Sequence, residues 1–261
     1  MTTKQHGLLF TEAMIRAFLR TQHPKRQTRR LPTAANSLVD GYGVSAKRWA
    51  EMKLDWSTAY VDGGPSPAGN PGPYLHVKRG DSTDGELWAR IYPRIQPGAL
   101  LYAREGTWER PERSERDMRE GADTWEPFAY DADCIFDDDK PTLKAQGWKH
   151  RNSIHMPRRA ARIVRTVASV RAERLQVISD LDAMQEGLTQ LSKDGGQTWK
   201  WGIPDRDGWP GNDDIGWPWQ LWEQSPYEAY RALWMGLHGV ASWQTNPIVW
   251  VYDLAPVSEA A

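Results

Sequence analysis

Nine of the fifteen tryptophans in this 261-residue chain lie after residue 198, and six of them fall between Trp199 and Trp222. Gly202, Pro204, Gly208, Pro210, Gly211, Gly216 and Pro218 interrupt the same stretch. Backbone this rich in Gly and Pro propagates neither a helix nor a central strand. Indoles must therefore fill whatever core the segment has, since it carries few aliphatic side chains. The alternative use of such rings is to stack on unpaired bases beside positive charge. A core role is expected for most of them.

The chain is long enough to bury a core in one elaborated domain without staples. Lys and Arg total 33 against 34 Asp and Glu, a net charge of -1, so any preference for nucleic acid must come from a local patch. Cys134 is the single cysteine, which excludes an internal disulfide and fits a reducing compartment. No apolar run long enough to span a membrane occurs, and the first six residues lack the apolar core of a signal peptide. These features predict a soluble cytoplasmic protein with no membrane partner.

Local patterns divide the chain. Gly7 to Phe10 reads as a strand, and Thr11 as the N-cap of a helix over 12–20 with Met14, Ala17 and Phe18 on one face. Val44 to Trp56 offers a second helix. Residues 62–73 alternate Pro and Gly and read as a loop. Strands are predicted at 74–77, 87–92, 100–104, 162–171 and 248–252. Ser179 and Asp182 form a capping pattern before a short helix ending at Glu186, where Gly187 can close it. An amphipathic helix follows over 226–237.

Two basic stretches carry candidate chemistry. Lys25 sits among Arg26, Arg29 and Arg30, whose repulsion favours a neutral amine, and Thr28 offers a hydroxyl such an amine can activate. A solvated basic loop is the plainer reading. The row from Lys149 to Arg174 either grips phosphates or pairs with the acidic segment 131–139. Arg162 and Arg165 are an odd number of positions apart, so a regular strand sends them to opposite faces. His150 and His155 lack a third metal ligand at a characteristic spacing, so neither a metal nor a cofactor is expected. No dinucleotide, P-loop or hydrolase-elbow motif occurs.

Taken in order, several blocks resemble one family. Leu8-Leu9-Phe10, an Ala/Met helix and Lys25-Arg26-Gln27-Thr28-Arg29-Arg30 are similar to the opening of the ASCH proteins, a PUA-like family, in its larger phage and prophage members. Pro97-Gly98 into Leu101-Tyr102-Ala103-Arg104-Glu105, Ser153 to Arg158, Arg174 to Gly187 and Ala232 to Tyr252 continue the resemblance along nearly the whole chain. His23 stands where the family's GxKxxxxR signature has glycine, and Arg26 replaces its usual small threonine.

The resemblance implies an α+β fold: a PUA-like small β-barrel with peripheral helices, as one domain over 1–261. Long irregular Trp/Pro/Gly-rich insertions are placed at 57–73, 106–147 and 192–222. It implies binding of RNA or a modified nucleoside, with modified DNA bases as a further class. In relatives that hydrolyse N4-acetylcytidine a lysine, a threonine and a glutamate act together, and by motif these are Lys25, Thr28 and Glu186. Arg26, Arg29, Arg30, Arg104, His155 and Arg158 are the nucleic-acid-binding residues so implied. Other relatives are ribonucleases, and a non-catalytic interaction protein using the Trp-rich insertions is the competing class.

Overall fold

The computed structural model describes residues 4–64, 73–81, 87–111, 126–134, 136, 138–211 and 216–256. In chain order the elements are β1 (Gln5–Leu9), α1 (Glu12–Leu19), β2 (Gln27–Arg30), β3 (Ser37–Val39), α2 (Ala46–Glu51), β4 (Leu54–Asp62), β5 (Tyr74–Arg79) and β6 (Leu87–Pro93). There follow β7 (Leu100–Arg104), β8 (Thr107–Glu109), β9 (Phe128–Tyr130), α3 (Asp139–Ala145), β10 (Lys149–Arg151) and β11 (Val164–Arg174). The last are α4 (Asp180–Gln185), β12 (Thr189–Leu191), β13 (Lys200–Gly202), α5 (Pro226–His238), α6 (Val240–Gln244) and β14 (Ile248–Leu254).

The fold is α+β. Its centre is a mixed five-stranded sheet in the order β1-β7-β11-β14-β2, joined by a four-stranded antiparallel sheet β3-β6-β5-β4 and by smaller sheets β10-β8-β9 and β12-β13. Among the described residues no sheet closes on itself. The two edges of the five-stranded sheet nevertheless approach each other, because Arg30 on β2 donates from Nη2 to the Leu9 carbonyl on β1 at 2.7 Å. β1 pairs with β7 in parallel, and the remaining ladders are antiparallel.

β14 explains the two-sided core. Its sequence IVWVYDL does not alternate apolar with polar, and both of its faces are covered. Ile248, Trp250, Tyr252 and Leu254 join Ile15, Phe18, Leu75, Val77 and Ile91 between the two large sheets and α1. Val249 and Val251 face the other way, into a cluster with Leu175, Ala183, Tyr230 and Trp234. β14 is thus the spine on which both layers pack.

Short polar caps start the helices as their sequence suggests. Thr11 accepts from the Met14 amide and Ser179 from the Asp182 amide, and Ser45 and Ser225 cap α2 and α5 in the same way. Three expectations need correction. The segment read as a helix over 44–56 is helical only for Ala46–Glu51, because Lys53 turns to a φ of 47° and Leu54 opens β4. Residues 57–62, placed in an insertion, belong to β4, which hydrogen-bonds to β5. The 106–147 region supplies β8, β9 and α3, and its β8 and β9 form a sheet with β10. Most of the Pro/Gly segment, 65–72, lies outside the described residues.

The Trp-rich stretch divides by burial. Trp222 is wholly buried, and its ring lies against Gly202 so closely that any side chain there would meet it. Trp199 and Trp209 are exposed, and Trp201, Trp217 and Trp219 are half-buried. Core filling therefore accounts for part of the stretch.

Candidate active-site pocket

The basic motif runs into the strand Gln27–Arg30, and most of it is buried. Lys25, Gln27, Thr28 and Arg29 are each under 5% exposed, which replaces the solvated-loop reading. Two backbone bonds fix its entry: the Lys25 amide donates to the Ala17 carbonyl at the end of α1, and the Arg26 amide donates to Gln185 at the end of α4, each at 2.9 Å. His23 makes the turn before it with a φ of 49°, a left-handed angle that glycine adopts more readily. Lys25 is thereby inserted between the C-termini of two helices.

Glu186 follows the last residue of α4, and Gly187 beyond it takes a φ of 103°. The Lys25 Nζ donates to Glu186 Oε2 at 2.6 Å and to the Glu186 carbonyl at 2.5 Å, meeting one of the free carbonyls that end a helix. Arg29 Nη1 approaches Glu186 Oε1 at 3.2 Å, while its Nη2 pairs with Glu173 at 2.7 Å and Asp182 at 3.3 Å. Two residues separated by 161 positions so share one buried ion pair. Burial pushes the Lys25 amine below the usual lysine range, against the pull of Glu186 and with help from Arg30 and Arg29. The sequence anticipated the repulsion; desolvation, the larger cause, comes only with the fold.

A cavity of about 180 Å³ opens beside this pair, walled by Lys25, Thr28, Arg29, Arg30 and Glu186 on one side and Phe10, Met14, Tyr230, Leu233, Trp234 and Leu237 on the other. Thr28 stands on β2 directly opposite Tyr252 of β14. Of the implied residues the catalytic three and Arg29 and Arg30 meet here. The other four do not. Arg26 is exposed in a separate depression with His23, Leu181 and Met184. Arg158 donates to Gln5 Oε1 at 2.5 Å and lies over the Tyr102 ring, beside which Arg104 packs against Gly7, and His155 is exposed nearby in sequence.

The wall residues from α5, Tyr230, Leu233, Trp234 and Leu237, were read from the sequence as one apolar face but not as a pocket lining. Burial raises the Tyr230 phenol well above its ordinary range, with Glu186 adding to the effect. Half of the second basic row is consumed by acids: Arg162 by Glu105 and Asp133, Arg151 and Arg159 by Glu109, and Arg171 by Glu173, Asp182 and Asp253. Its partners come mainly from outside the 131–139 segment. Cys134 is buried, its thiol pushed up to about 11 chiefly by desolvation, which disfavours the nucleophilic thiolate. Among the described residues no three His, Cys, Asp or Glu side chains gather around a common point for a metal, and no helix is long and apolar enough to cross a membrane.

No family model, curated protein or solved structure matches this chain. Its functional reading rests on the pocket itself.

Gly187 links the pocket to its frame. A Cβ there would lie 2.8 Å from the Ala17 Cβ and 3.4 Å from Lys25 Cδ, on a backbone angle that L side chains rarely adopt. Gly187→Ala should lower stability by about 1–3 kcal/mol through backbone strain and displacement of the Lys25 stem. Thermal denaturation followed by circular dichroism checks this, and an unchanged melting temperature would contradict the packing described.

Proposed function

We propose that this protein is a PUA-like, ASCH-type protein that binds a modified nucleoside or RNA in the pocket and hydrolyses an acylated exocyclic amine of a pyrimidine, as in N4-acetylcytidine. The observation that carries the reading is the meeting of Lys25 and Glu186 at 2.6 Å in the wall that Thr28 shares. The approach of the β1 and β2 edges through Arg30 supports a barrel-like closure of the sheet. The pocket couples a polar floor to an aromatic wall, a lining suited to a planar base bearing hydrogen-bonding groups.

In this reading neutral Lys25 takes the proton of the Thr28 hydroxyl, and the oxygen attacks the acyl carbonyl. The C–N bond then breaks, the amine leaves with a proton relayed through Glu186, and water releases the acyl group from Thr28. Only the unprotonated amine serves as the base, so kcat/KM should rise with pH and level off above the Lys25 pKa. That midpoint should lie below the ordinary lysine value, because burial depresses it. A profile with no rising limb below the ordinary lysine value would contradict the assignment.

The direct test incubates the protein with N4-acetylcytidine and, separately, with labelled RNA, and measures cytidine, acetate and RNA fragments. Cytidine release by the wild type and its loss in Glu186→Gln support the reading. Release of fragments alone would replace it with a ribonuclease, and turnover of neither would remove catalysis.

A further inference from the structure

Three cations line the pocket, and two of them have acids in contact. Lys25 has Glu186, and Arg29 has Glu173, Asp182 and Glu186. Arg30 has no carboxylate within ion-pair distance among the described residues. Its Nη2 donates to the Leu9 carbonyl, its guanidinium lies 4.6 Å from the centre of the Phe10 ring, and its Nε is buried without a partner. Tyr252 and Trp250 lie opposite Thr28 and Arg30, which share one face of β2.

Arg30 is half-buried and Glu186 acts on its charge only from beyond ion-pair distance, so an anion on its open side recovers desolvation that the fold leaves unmet. The carbonyl and aromatic ring already on Arg30 neutralise none of its charge. A pyrimidine and its acyl group are neutral and add no charge to meet it. A phosphate supplies both the charge and acceptors that match the forked donors of arginine.

We propose that the ligand brings a phosphate group onto the open side of Arg30, so that a nucleotide is bound in preference to the free nucleoside. This rests on the pyrimidine reading above. The phosphate is either the terminal monoester of a mononucleotide or an internal diester of an RNA chain.

Calorimetric titration separates the cases, using cytidine, cytidine 5′-monophosphate, cytidine 3′-monophosphate and the dinucleotide CpC at one fixed ionic strength. At least one phosphorylated ligand should bind ten-fold or more tighter than cytidine, and the monoester and diester arms report which phosphate is used. In Arg30→Gln that ratio should fall to near one. Arg30→Lys keeps the charge without the forked donors, so it should fold and retain part of the ratio; it decides the question if Arg30→Gln does not fold. Equal affinity for cytidine and every phosphorylated form would overturn the inference, even if N4-acetylcytidine is hydrolysed. Binding of none, with no hydrolysis, would overturn both it and the proposed function.

Discussion

Lys25→Met should lower kcat/KM for N4-acetylcytidine by roughly a hundred- to ten-thousand-fold, the range over which a positioned general base contributes. Methionine matches the unbranched stem and belongs in a site 3% exposed, so the pocket wall keeps its shape. The Glu186 carboxylate retains Arg29 at 3.2 Å, which spares it the full cost of an orphaned buried charge, about 3–5 kcal/mol. The loss of rate should therefore appear in folded protein. Lys25→Arg is the discriminating companion, because guanidinium can hold an ion pair with Glu186 but cannot be deprotonated. If Lys25 acts as a base, arginine should be as inactive as methionine. Activity retained in the arginine variant would reduce Lys25 to a positioning residue that orders Glu186.

What the sequence made legible follows from how local each cause is. Caps at Thr11 and Ser179 were readable because a hydroxyl and an amide three residues on decide them. The β14 strand was readable from its β-branched and aromatic run, and its ends were correct within two residues. Convergence of Lys25, Thr28 and Glu186 was implied only through a resemblance. Nothing in the chain states that β2 pairs with β14, which is what buries the motif. The nucleic-acid-binding set that the resemblance implied does not share one place: Arg104, His155 and Arg158 are not in the pocket wall, Arg104 packing against Gly7 and Arg158 holding Gln5 and lying over the Tyr102 ring. The Lys149–Arg174 row resembled a phosphate grip until Glu105, Glu109, Glu173, Asp182 and Asp253 arrived from distant segments. Pairing at that range depends on topology, and periodicity carries no information about it.

The largest effect on stability is expected from Trp250→Ala. Trp250 has no exposed surface, and its indole crosses from β14 to the four-stranded sheet, donating from Nε1 to the Ser37 hydroxyl at 3.0 Å. Truncation removes the biggest side chain between the two sheets and leaves a cavity, at a cost of about 3–5 kcal/mol. Ser37 still donates to Asn36 Oδ1, so its hydroxyl is not stranded and adds little. A domain of this kind is held by only about 5–15 kcal/mol, so the variant forfeits a large share of its stability. Urea unfolding followed by far-ultraviolet circular dichroism should show a lower midpoint at an unchanged slope. Trp250→Phe, which keeps a ring and loses the indole donor, should cost less than half as much. Because Trp250 lies opposite Arg30 in the strand register, the alanine variant should also weaken binding of phosphorylated ligands before it unfolds. A midpoint shift worth under about 1 kcal/mol would mean that the sheets are joined elsewhere and that the pocket does not depend on this contact.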